Sequence, residues 1–211
     1  MKTMFIEAKS KAKISIKKHL GKLPDKLALA ATAQHMHQII SIKKELEKAG
    51  KKISLVQGKH SRRAGQILGC DTPKIKEDAV LFIGTGNFHP AIFGKKDVYA
   101  LNPENSSLHV FGKKEAQKLE KRKKGGLLKF YSSKNIGILI SIKPGQLSTK
   151  ALSLKKRFRS KNFYCLVFDT LNVNELENFP FIECFVNTAC PRITEDTAEK
   201  TIINTEDIKK I

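Results

Sequence analysis

Short apolar runs that alternate with helical segments constrain this chain more than any other feature. Residues 3–8, 26–34, 52–58, 79–87, 97–103 and 107–112 read as strands in the first half, and 135–143, 163–170 and 181–188 in the second. Between them, 35–50 repeats Met36, Ile39, Ile40, Leu46 and Ala49 at helical spacing and stops at Gly50. Residues 113–134 form a charged helix that Gly125 and Gly126 should break or loosen, and 148–162 and 172–180 supply further helices. Strand–helix alternation of this kind predicts an α/β protein with parallel sheets. The grammar runs twice, so two tandem, related α/β domains are expected, at 1–112 and 113–211. A strand three residues from the start is either an edge strand or the last strand of a preceding domain, which leaves residues 1–10 open to both readings.

At 211 residues each half is long enough to bury its own core. The formal charge is +20, which invites a polyanionic partner. However, only six of the 40 basic residues are Arg, leaving 34 Lys. Guanidinium is the preferred group for bidentate phosphate and base recognition, so a solvated lysine surface is the favoured reading and a nucleic-acid partner is not expected. No apolar run approaches the roughly 20 residues that span a bilayer. Four cysteines without a signal peptide point to a reducing cytoplasm.

In parallel α/β sheets ligands gather beyond the carboxyl ends of the strands. The loops there are 57–71 (QGKHSRRAGQILGCD), 84–94 (GTGNFHPAIFG), 141–150 (SIKPGQLSTK) and 186–196 (VNTACPRITED). Cys70 follows Gly69 and precedes Asp71, which could hold a neighbouring turn; a small buried thiol and a functional one are both open. At Cys190, Pro191 fixes the chain direction and Arg192 can steady a thiolate or bind a carboxylate, which favours function. Cys165 and Cys184 lie inside apolar strands and read as core. The third glycine of a dinucleotide fingerprint would fall at His89, so that signal is weak. Lys143 and Gln146 could meet an anion, or mark only a Pro-Gly turn. His35 and His37 cannot share a helical face, which leaves His35, beside Gln34, as the candidate of the pair.

In this order, TAQH, GQILGCD, FIGTGNFHP, SIKPGQ and FVNTACPRI resemble the diphthamide-synthesis enzymes, the 2-(3-amino-3-carboxypropyl)histidine synthases. The resemblance runs over essentially the whole chain. It implies three related α/β domains, each giving one cysteine to a [4Fe–4S] cluster with an open iron. S-adenosylmethionine would bind there, break at the bond between sulfur and the γ-carbon, and donate its 3-amino-3-carboxypropyl group to a histidine of translation elongation factor 2. Cys70 matches the cysteine of the second domain and Cys190 that of the third. Arg192, Lys143, Gln146, His89 and Gln34 fall in the family's motif loops and are candidates for substrate binding.

The sequence departs from that pattern in having no cysteine before Cys70. The chain thus looks like the last two domains of a three-domain enzyme. It is expected to be inactive or nearly so alone, and to act as a homodimer or with a chain that supplies the missing cysteine. The alternatives are a noncatalytic partner subunit and a basic nucleic-acid-binding α/β protein.

Overall fold

The computed structural model describes residues 4, 6, 8–58, 60–71, 73–86, 90–94, 96–195 and 200–208. They divide into two compact units, Met1–Lys118 and Leu119–Ile211.

In the first unit β1 (Lys26–Ala31) leads through a 3-10 turn, Ala33–Gln38, into α1 (Ile39–Lys48) and β2 (Lys52–Leu55). A long loop then reaches β3 (Ala79–Ile83), followed by β4 (Asp97–Leu101) and β5 (Leu108–Phe111). The sheet order is β2-β1-β3-β4-β5, parallel except for β5, which runs antiparallel to β4. β1 and β3 are central and covered on both faces, which is why LALAA and AVLFI read as unbroken apolar runs. One face packs Leu27, Leu29, Leu81 and Ile83 on Ile39, Ile42 and Leu46 of α1. The other packs Val80 and Phe82 on Ile67 and Phe93. Burial of each such side chain is worth about 1.5–3 kcal/mol.

The second unit contains most of α2 (Lys113–Ser132), then β6 (Asn135–Ser141), the single turn α3 (Leu154–Arg157), β7 (Asn162–Phe168), β8 (Cys184–Asn187), β9 (Thr201–Asn204) and α4 (Thr205–Ile208). Its sheet is parallel throughout, in the order β7-β6-β8-β9. The two units therefore share one strand order, with the order of strand addition reversing between β1 and β3 and again between β6 and β8.

Several expected elements differ, and the segment 172–180 forms a 3-10 helix, Val173–Asn178, rather than an α-helix. Met4, Ile6 and Ala8 carry no strand, and Met4 and Ile6 are exposed; residues 3, 5 and 7 of the expected strand lie outside the described residues. The helix expected to break at Gly125 and Gly126 runs through both. Gly126 is instead a contact position, because a Cβ there would lie 2.6 Å from Ile203 Cγ2 on β9. The segment 148–162 forms only short turns, Lys150–Ser153 and α3, rather than one helix.

Candidate functional site

Cys70 lies beyond β2, on a loop that leaves the sheet and returns. Val56 N–H bonds Leu29 O, the chain loops out, and Gly65 to Ile67 rejoin the ladder against Ala31. The buried Asp71 carboxylate ties this excursion together. It accepts the His60 N–H at 2.7 Å and the Leu68 N–H at 2.8 Å. Gly58 is required beside it, since a Cβ there would sit 2.3 Å from Asp71 Oδ2. Asp71 thus holds the turn expected of it, and Cys70 stands exposed next to it.

Cys190 lies beyond β8 and is half-buried. Its loop is held by amides rather than by a carboxylate. Asn187, 1% exposed, donates from Nδ2 to Cys190 O at 2.9 Å and to Asn204 Oδ1 at 2.8 Å, and its Oδ1 accepts the Ala189 N–H. Asn187 and Asn204 are register partners on β8 and β9. Asn204 Nδ2 reaches Pro191 O and Thr194 Oγ1 in turn, and Thr205 Oγ1 donates to Asn187 O. Thr188 anchors the strand end by donating both its N–H and its Oγ1 to Leu139 O. Arg192 is exposed on this loop.

Lys143 and Gln146 sit on the loop after β6, the strand beside β8. Pro144 and Gly145, at φ 80°, shape the turn, closed by Gln146 N–H to Lys143 O at 3.0 Å. Cys190, Arg192, Lys143 and Gln146 therefore all lie beyond the carboxyl ends of β6 and β8, where this unit's strand order reverses.

The matching end of the first unit carries a cleft of about 510 Å³ whose walls include Gln34, His35, Thr85 and Glu104. Gln34 and His35 belong to the 3-10 turn after β1, not to an extended strand. His35 is 2% exposed, and its Nδ1 has no hydrogen-bond partner among the described residues; neither does Thr32 Oγ1. Burial, helped by the neighbouring His37 and opposed by Glu104, holds the His35 pKa below the usual imidazole value. His89 lies outside the described residues.

The other two thiols differ from each other. Cys184 is core, and burial pushes its pKa up to about 12. Cys165, expected to be core as well, is exposed, because β7 is the outer strand of its sheet. Asn187, Asn204 and Thr205 were missed as candidates. The signal for Asn187 was present, since a polar amide ends the apolar run CFVN, but its partner Asn204 belongs to a four-residue strand too short to recognise.

A family model for diphthamide synthesis proteins matches residues 1–205. The chain is 33% identical to the 2-(3-amino-3-carboxypropyl)histidine synthase of Pyrococcus horikoshii, over 92% of this chain and 60% of that protein. It is 28% identical to subunit 1 of the Homo sapiens enzyme of that name, over 81% of this chain and 40% of the relative. The crystal structure of Dph2 from Pyrococcus horikoshii superposes with a TM-score of 0.79 at 28% identity, covering 92% of this chain and 60% of that one. The same protein solved with a 4Fe-4S cluster gives 0.78. The chain thus spans about 60% of the Pyrococcus protein.

Proposed function

Because the chain belongs to the diphthamide synthesis protein family, we propose that it contributes two ligand-bearing domains to a transferase that moves the 3-amino-3-carboxypropyl group of S-adenosylmethionine onto a histidine of translation elongation factor 2. One observation carries this reading: each unit presents one thiol beyond the carboxyl end of its sheet, on a loop held by hydrogen bonds to a buried side chain.

By donor chemistry and access, Cys70 and Cys190 fit an iron–sulfur cluster, which takes cysteine thiolates. When bound, the cluster supplies the electron that splits the carbon–sulfur bond of S-adenosylmethionine. Arg192 offers a bidentate partner for the methionine carboxylate, and Lys143 and Gln146 add a cation and an amide on the adjacent loop. Gln34 and the neutral His35 line the first unit's cleft as donors and acceptors for a polar substrate group.

Among the described residues no three His, Cys, Asp or Glu side chains gather into a metal site. Cys184 is sealed in its core and Cys165 faces outward from an edge strand, so a third thiolate comes from outside these 211 residues. The site is then in the cytoplasm, where elongation factor 2 is met; among the described residues no helix is long and apolar enough to cross a membrane.

The test is anaerobic incubation with iron, sulfide, S-adenosylmethionine and elongation factor 2, with and without a chain that supplies a third cysteine. Methylthioadenosine should form only with that chain and only when Cys70 and Cys190 are intact. A stable four-iron cluster and turnover from this chain alone would contradict the shared-site reading. Partner capture without iron would mark a noncatalytic subunit, and salt-sensitive nucleic-acid binding indifferent to both cysteines would mark the basic-surface alternative.

A further inference from the structure

We propose that Arg122 is a positioning residue for Cys190, latching the loop that carries this thiol onto α2. Its Nη2 donates to Thr194 O at 2.8 Å, across 72 residues of sequence. Thr194 belongs to the 3-10 turn, Pro191–Glu195, that follows Cys190 directly.

A turn this short closes few of its own carbonyls, and the rest need donors from elsewhere. Within it, Ile193 N–H donates to Cys190 O at 3.1 Å and Thr194 Oγ1 to Pro191 O at 2.9 Å. Asn187 and Asn204 reach Cys190 O and Pro191 O from the sheet. Arg122 reaches Thr194 O from the helix, as a basic side chain does when it caps the last carbonyls of a helical turn. The loop is thereby held from two elements instead of one.

The helix that carries Arg122 is itself anchored. A Cβ at Gly126 would lie 2.6 Å from Ile203 Cγ2, so α2 rests directly on β9. One residue beyond Arg122, Lys123 Nζ lies 3.7 Å from Asp207 Oδ1 on α4. The choice of residue agrees with the role. The other cations along this stretch of α2 are Lys121, Lys123, Lys124 and Lys129. Lys123 and Lys124 face the carboxylates of Asp207 and Glu120, for which a point charge suffices. Guanidinium stands where the acceptor is a neutral carbonyl on a distant loop, which calls for a directed N–H in a fixed fork. The latch itself is independent of the proposed activity; its value in placing a cluster ligand rests on that reading of Cys190.

The full chain carrying Cys70→Ser and Cys165→Ser keeps Cys190 and the buried Cys184, so maleimide reports on Cys190. Alanine is a good helix former, and Arg122→Ala should leave α2 intact. We expect this variant to label at least about threefold faster than its parent, because a charged donor no longer holds the loop closed. Hydrogen exchange should quicken over 190–195 and stay unchanged in α2. Lys121→Ala removes a neighbouring cation of the same helix and should not accelerate labelling, which separates the bond from net charge. With Cys70 and Cys165 restored and a chain supplying a third cysteine, the electron paramagnetic resonance spectrum of the reduced cluster should change in Arg122→Ala and not in Lys121→Ala. A smaller acceleration in Arg122→Ala, or an equal one in Lys121→Ala, overturns the latch. Faster labelling with an unchanged cluster spectrum overturns the positioning role. Failure of the native chain to assemble a cluster sinks the proposed activity and leaves labelling to decide the latch.

Discussion

The two units share a strand order but not a thiol position. Cys70 follows the outer strand β2 after an excursion, whereas Cys190 follows the inner strand β8 directly, where the strand order reverses. The counterpart of the Cys190 loop in the first unit is the segment after β3, and it carries no cysteine. The locks differ too: a buried carboxylate gathers backbone N–H groups around Cys70, and an asparagine pair bridges two strands behind Cys190. A repeated fold therefore supplies equivalent sheets, while each loop solves its own placement problem.

The contrast can be broken from either side. Asp71→Ala should have the largest effect, about 3 kcal/mol, because it removes a buried charged acceptor that two backbone N–H groups share. Hydrogen exchange should quicken over 57–71 and not over 186–205; loosening of both would mean that the locks are not separate. Asn187→Ala should cost about 2 kcal/mol and speed maleimide labelling of Cys190, while labelling of Cys70 stays unchanged. Thr194→Val, which removes only the hydroxyl that donates to Pro191 O and accepts from Asn204, should cost about 1 kcal/mol in denaturant unfolding.

Acid should distinguish the units as well. All six histidines precede residue 110, so the second unit has none. With its pKa lowered in the folded state, His35 favours folding while neutral. That contribution is present above the unfolded imidazole value near 6.5 and is lost as pH falls through it toward the lower folded value. Protection of the first unit's amides, taken relative to their intrinsic exchange rate at each pH, should therefore fall as the pH drops below about 6.5, and His35→Gln should flatten the dependence. Equal loosening of both units would assign the effect elsewhere.

Much of this was legible in the sequence because central parallel strands are apolar on both faces; AVLFI and NIGILIS announce themselves. What escaped notice had a physical cause in each case. β9 is four residues long, so TIIN gave too short a run, and with it went Asn204. Gly126 looked like a helix breaker because sequence does not show which glycine meets a strand at close range. Cys165 read as core because an outer parallel strand has nearly the same composition as an inner one. The candidate thiols themselves stood out, since glycine or proline beside a cysteine at a strand end is visible without coordinates.

The most direct test of the central claim is iron and acid-labile sulfide bound after anaerobic reconstitution of the full chain with a chain supplying a third cysteine, across four single Cys→Ser variants. Loss of both in Cys70→Ser and in Cys190→Ser, with retention in Cys165→Ser and Cys184→Ser, is the result this account predicts. Binding that survives loss of Cys70 or Cys190, or that requires Cys165 or Cys184, would contradict it.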